Sequence, residues 1–311
     1  MAERSPLTRS GRFALRDHIL GLDPERDHLE IYRISAGLEF PFDYLRGMEL
    51  ALLRTFAIPS IATLLDATGE FACAGQRRYD DTFLLMGALV RFGCDSPEGR
   101  TALRTINRAH SWYRISNDDM LYTLAAFVLE PARWIDRYGW RPLTRHERLA
   151  AFRLYRNIGR RLAIKDLPDS YEELAGFYDQ YEYAHQRPTP AGHRVAEAAL
   201  GVMASWFPAP VRRAARMTAL AALPPPVPTA LGCLAPPAVL VHATAFVLRV
   251  RAWWLRHLCS PRTVSLFHVL PRVRTYTLDA PGTVMERFGI AAPARTDHPG
   301  MAHCPGRAGR G

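Results

Sequence analysis

The side chains best suited to chemistry fall between Arg78 and Tyr122, in the stretch QRRYDDTFLLMGALVRFGCDSPEGRTALRTINRAHSWYRISNDDMLY. On a helix, Arg78 and Thr82 stand four apart and share a face that Met86 and Leu89 continue. A guanidinium and a hydroxyl above an apolar stripe can hold an anion or a small polar ligand at a pocket wall. The plainer alternative is a helix start capped by Asp80 or Asp81, with Arg78 in solvent. His110 shares a helical face with Leu103, Ile106 and Tyr113, which turns its imidazole toward apolar surroundings. A lone histidine in that setting is most often a hydrogen-bonded core residue. A neutral imidazole in an apolar pocket is also what axial ligation of haem iron requires. Arg78, Arg100, Arg104, Arg108 and Arg114 are near enough in sequence to supply cations for haem propionates.

The same stretch offers a competing chemistry. Asp80-Asp81 and Asn117-Asp118-Asp119 resemble the paired carboxylates with which Mg-dependent, terpene-synthase-like enzymes hold a diphosphate. The spacing fails in detail. Leu84 stands where a third aspartate is needed, and Leu121 and Ala125 occupy the positions of the second pattern's hydroxyl and glutamate. Other histidines carry less: His242 and His257 are too far apart for an i,i+4 ligand pair, and His146 and His185 sit near helix ends. The five cysteines (Cys73, Cys94, Cys233, Cys259, Cys304) include no CxxC pair and are odd in number. Neither a disulfide framework nor a Cys-based zinc site is expected, which fits a reducing, cytoplasmic setting.

The elements that must position these residues read as helices. Hydrophobic content of 48% with 23% charged residues suits a globular chain of 311 residues. The net charge of +10 is scattered, with no run of five or six like charges, so a nucleic-acid partner is not expected. Residues 1–40 lack clean periodicity and read as an N-terminal extension packed on the body, without the apolar segment of a secretory signal. Helix signals follow: Asp43 before an apolar stripe, a helix over Asp80 to Phe92 stopped by Gly93, and starts at Ser96 and at Ser116 or Asn117. Thr144 with Glu147 forms a capping box, and Ser170 with Glu173 repeats it. Helices over Pro190 to Trp206 and Val211 to Leu223 lead to a Pro-rich turn and a long last helix. Thr229 to Leu248 is free of charge, but Pro236, Pro237 and His242 interrupt it, so a buried helix from about Pro236 is expected rather than a membrane span. Trp253-Trp254 with Arg249, Arg251 and Arg256 suits a peripheral membrane contact, although snorkelling arginines on a core helix are commoner. No segment alternates as a strand, so the expected fold is all-α. The last stretch, 291–311, reads as a disordered tail.

Arg78-Tyr-Asp-Asp-Thr82 is an RxxxT helix motif, followed at fitting distance by Asn-Arg-Ala-His110. Together with ISNDDMLYTLAAFVLEPARWIDRYGWRPLTRHE, DLPDSYEELAGFYDQYE and the turn at Pro261-Arg262, it resembles the MpaB-type oxygenase family, whose catalytic domain is shared with latex-clearing rubber oxygenases. The resemblance covers most of residues 41–290. It implies a multi-helix domain with a globin-like core that holds haem b through His110. It further implies that Arg78 and Thr82 lie beside the haem and are needed for activity, with O2 and an apolar, isoprenoid-like small molecule as substrates and oxidative cleavage of a carbon–carbon double bond as the reaction. The rubber-oxygenase branch has a lysine just before the threonine; Asp81 stands there in this chain, so that lysine's role does not carry over. Asp66 and Glu70 are candidates for the branch's acidic residue.

Overall fold

Helix follows helix through the computed structural model, which describes residues 11–269 and 273–276. In chain order these are α1 Ala14–Leu20, α2 His28–Ile34, α3 Pro41–Thr55, α4 Pro59–Thr68, α5 Glu70–Phe92, α6 Pro97–Ser111, α7 Asn117–Tyr138, α8 Arg145–Arg161, α9 Tyr171–His185, α10 Pro190–Ser205, α11 Arg212–Ala221, α12 Pro226–Ala230, α13 Ala238–His257 and α14 Leu266–Val269. Among the described residues there is no strand, and the fold is all-α as expected. The expected tail at 291–311 lies outside the described residues. The N-terminal extension forms α1, α2 and a π-helical turn, Ser35–Glu39, packed on α8.

The axis of the molecule is the pair α3 and α7, which share the most extensive helix–helix contact. Both are amphipathic, and α7 buries Leu121, Tyr122, Ala125, Val128, Leu129 and Ile135. They approach closely because Gly47 of α3 faces Pro131 of α7: a Cβ at Gly47 would lie 2.4 Å from the Pro131 Cα. Gly47→Ala must therefore push two helices apart, backbone against backbone. The expected loss is about 1–3 kcal/mol of stability, read as a lowered midpoint in denaturant with an unchanged slope.

Four helix starts follow the local chemistry read from sequence. The hydroxyls of Ser96, Ser116, Thr144 and Ser170 each accept the backbone N–H three residues on, and Thr144 with Glu147 closes a full capping box. Three expectations need correction. Asp43 does not cap α3; it is buried and accepts the Trp134 indole N–H (3.1 Å) and the Arg251 guanidinium (3.0 Å). The helix expected from Asp80 begins at Glu70, so Asp80 and Asp81 are mid-helix and buried. The turn before it is possible because Gly69 takes φ 66°, a left-handed conformation costly for any side chain. Finally, α13 begins just after Pro237 as expected but is not a core helix: only Thr244 and Ala245 in it are buried. By length and composition α13 is long and apolar enough to cross a membrane. Cys94, Cys233 and Cys259 are free thiols, and Cys73 is disulfide-bonded.

Candidate active site

The turn between α5 and α6 decides what meets. Gly93 ends α5 at φ 84°, Ser96 Oγ donates to the Gly93 carbonyl (2.9 Å), and Ser96 Oγ accepts the Gly99 N–H (2.8 Å). Connected by so short a turn, α6 packs back along α5. At ~1.5 Å per residue, Arg78 and Thr82 lie roughly 21 and 15 Å from the turn along α5, and His110 roughly 20 Å from it along α6. The three side chains therefore stand at one level, and all three line one cavity.

That cavity has a volume of about 460 Å³, inside the range of roughly 300–1,000 Å³ usual for small-molecule sites. Its walls come from α3 to α8 and α10, with Leu64, Leu65, Phe71, Met86, Ile106 and Met203 among the apolar side chains. Thr82 Oγ1 donates to the Arg78 carbonyl (3.0 Å) and accepts from Arg78 Nη1 (2.7 Å), so the RxxxT spacing folds the guanidinium against its own helix. Arg78 Nε and His110 Nδ1 are both buried without a hydrogen-bond partner among the described residues. Such groups are rare in a folded protein and ask for an explanation. Burial, aided by the Arg78 charge, pushes the His110 imidazole down to about 4, so its ring is neutral at physiological pH. Burial also lowers Arg78, against the pull of Asp81 and Glu70.

Of the five arginines offered by sequence, Arg78 and Arg114 line the cavity, while Arg100, Arg104 and Arg108 are exposed. Asp66 turns outward and pairs with Arg194 (3.1 Å to Nε). Glu70 does not line the cavity and acts on Arg78 only through its charge. The carboxylate that sequence reading missed is Glu49 of α3, buried on the cavity wall, where it accepts from the Tyr79 hydroxyl (3.0 Å) and from Arg46. In sequence it is one acid in an ordinary amphipathic helix, and only its tertiary partners reveal it.

The paired-carboxylate alternative loses its ligands. Asp80 Oδ1 accepts from Gln76 (2.7 Å) and Oδ2 from the backbone N–H groups of Arg274 (3.0 Å) and Thr275 (2.8 Å). Asp81 accepts the Tyr276 hydroxyl (2.5 Å), Asp119 holds Ser60 (2.8 Å) and Tyr181 (3.0 Å), and Asp118 is exposed. These acids anchor the chain; Asp81 and Asp119 line the cavity, but they join no ligand cluster among the described residues. Elsewhere, His193, Glu197 and Cys233 bring potential ligand atoms within 4.8 Å of one another. Arg216 is ion-paired with Glu197, Arg212 and Arg213 line the adjoining cavity, and burial with Glu197 raises the Cys233 thiol to about 11. Three guanidiniums and a protonated thiol make this a poor seat for a cation.

Comparison with known proteins places the chain in a class. A family model described as "ER-bound oxygenase mpaB/B'/Rubber oxygenase, catalytic domain" matches residues 44–257. The chain belongs to this family. Among its relatives, the ER-bound oxygenase mpaB of Penicillium roqueforti is 32% identical over 200 residues, covering 58% of this chain and 66% of that protein. The ER-bound oxygenase mpaB' of Penicillium brevicompactum is 32% identical over 212 residues, covering 61% and 49%. The matched part thus spans half to two thirds of these relatives' length. The fold is also that of latex clearing protein in its closed state, with a TM-score of 0.55 at 15% identity over 92% of this chain and 81% of that one.

Proposed function

We propose that this chain is a haem b-dependent oxygenase that holds iron through His110 and cleaves a carbon–carbon double bond of an apolar, isoprenoid-like substrate with O2. One observation supports this most: a neutral imidazole and a guanidinium, each with one buried nitrogen that has no partner among the described residues, line the same apolar cavity. Neutral imidazole is the form that ligates haem iron, and a desolvated guanidinium is a ready partner for a propionate or another anion. When bound, the haem supplies the oxygen chemistry. The protein's own part is then ligation, orientation and exclusion of water. Thr82 fixes Arg78 by accepting one of its N–H groups while its own proton is spent on the backbone. The apolar wall accommodates a hydrocarbon chain and keeps the cavity dry.

The test is a visible spectrum of the purified protein after haem supplementation, followed by oxygen uptake with polyprenyl and terpenoid alkenes. No Soret band sinks the haem reading; a Soret band without any oxygen-dependent product across the alkenes leaves a haem-binding helical protein in place of an enzyme. Arg78→Gln is expected to retain the Soret band but to lower turnover per bound haem by about 10²–10³-fold, the cost of losing one preorganised charged donor. Thr82→Val, which frees the Arg78 guanidinium without removing it, should cost less in the same assay.

A further inference from the structure

Helix α13 has two unlike faces. Thr244, Ala245, Leu248, Arg251 and Leu255, spaced three and four apart, turn toward the body, where α13 packs on α7 and α11. Arg251 fixes the helix in place by pairing with the buried Asp43 and lying over Phe42 at 4.0 Å. The opposite face carries Phe246, Val247, Val250, Trp253, Trp254 and Leu258, with Phe246 68%, Trp253 57% and Leu258 64% exposed. Single exposed apolar residues are ordinary, but a continuous row of this size marks a contact surface. Arg249 and Arg256 are exposed among them.

The stretch of chain that carries this face is one-signed in charge. From Ala198 to Leu278 the sequence contains no Asp or Glu, yet it holds nine arginines. On α11, next to α13, Arg212 and Arg213 are exposed beside the exposed Phe207 and Val211. A row of aliphatic and Trp side chains rimmed by arginines, with no acid nearby in the chain, suits the boundary between acyl chains and anionic headgroups. The wide indoles favour that boundary, and arginine can reach phosphates while its methylenes stay apolar.

We infer that the outer face of α13, flanked by the arginines of α11, seats this protein in-plane on an anionic lipid surface. The helix lies on the bilayer and does not cross it: its inner face is committed to α7 and α11, and Arg251 ties it to α3. This inference is independent of the haem reading, since none of its residues lines the candidate active-site cavity.

The experiment is co-sedimentation of the full chain with phosphatidylcholine vesicles and with vesicles that also contain phosphatidylserine. Binding to the anionic vesicles is expected, weakening with added salt. Trp253→Ser with Trp254→Ser should reduce the partition about tenfold or more, and Arg249→Glu with Arg256→Glu should reduce it similarly. Far-UV helicity, and a blue shift of tryptophan emission on vesicles present in wild type and diminished in the Trp pair variant, separate lost contact from lost fold. Equal binding to neutral vesicles, no binding at all, or unchanged binding by both folded variants would overturn the inference. Concentration-dependent dimerisation that the Trp pair variant abolishes, without vesicle binding, would overturn it in favour of a second copy of this chain.

Discussion

His110→Ala is expected to abolish the Soret band of haem-supplemented protein while leaving the helical spectrum intact. Loss of a supporting contact around a metal ligand typically costs 10–100-fold in affinity, so removal of His110, the proposed ligand, should cost more than about 100-fold. The residue sits at the end of α6, half-buried on the wall of the cavity, so truncation enlarges a cavity already present and should not unfold the domain. Added imidazole should restore part of the band, because the space vacated opens onto that cavity. His242→Ala on the exposed face of α13 is the matched control and should change nothing. The imidazole also leaves a signature without haem. Its folded value is pushed down to about 4 from an ordinary 6.5, so between those pH values the unfolded chain binds the extra proton. Stability therefore falls as pH drops through that window. Apo wild type should lose stability more steeply there than apo His110→Ala. Equal slopes, together with an unchanged Soret band, would remove His110 from the site.

How far the sequence carries this site depends on the range of the interaction that places each residue. The caps at Ser96, Ser116 and Thr144 are made within three residues, and the Arg78–Thr82 bond within four, so they are legible from spacing alone. The meeting of Arg78 with His110 is nearly as local, because a tight turn between two long helices sets their level. Asp43 and Asp80 were misread for the opposite reason. A carboxylate near the start of an apolar run looks like a cap, but these two bond to Trp134 and Arg251, and to the backbone of Arg274 and Thr275, across 91 to 208 residues. Glu49 escaped notice because its partners are one turn away and 30 residues away. The exposure of α13 was illegible on other grounds: composition states how apolar a helix is, not which neighbour covers it. The haem and the reaction are implied by the family resemblance alone; the structure adds two buried nitrogens without a partner among the described residues.

Arg141→Leu is expected to be the most damaging single change to stability, by about 3–5 kcal/mol against a total that for a domain is only about 5–15. Arg141 is 5% exposed and lies between two buried carboxylates. It reaches Glu39 Oε2 through Nε (3.1 Å) and Nη2 (2.8 Å), and Glu147 through Nη1 (2.8 Å) and Nη2 (3.0 Å). Glu147 also accepts from Ser35 (2.7 Å) and from the Thr144 backbone N–H (2.7 Å), so this one guanidinium joins the π-helical turn to the start of α8. These bonds hold Glu147 below the ordinary carboxylate range despite its burial, whereas Glu39 stays above it because burial outweighs Arg141. Without the guanidinium, both acids are buried with far less compensation, and protonation becomes the route to relief. The sign of the pH response then identifies the cause. With folded pKa values raised above the unfolded ones, the native state of the variant binds more protons than the unfolded chain, so its stability decreases as pH rises through that interval. Denaturant midpoints for Arg141→Leu should therefore be higher at mildly acidic than at alkaline pH. The triple change Arg141→Leu, Glu39→Gln, Glu147→Gln should lose much of that pH dependence and recover part of the stability. A variant as stable as wild type at every pH would show that the buried charges are not held by Arg141, and the α2–α8 junction would need another account.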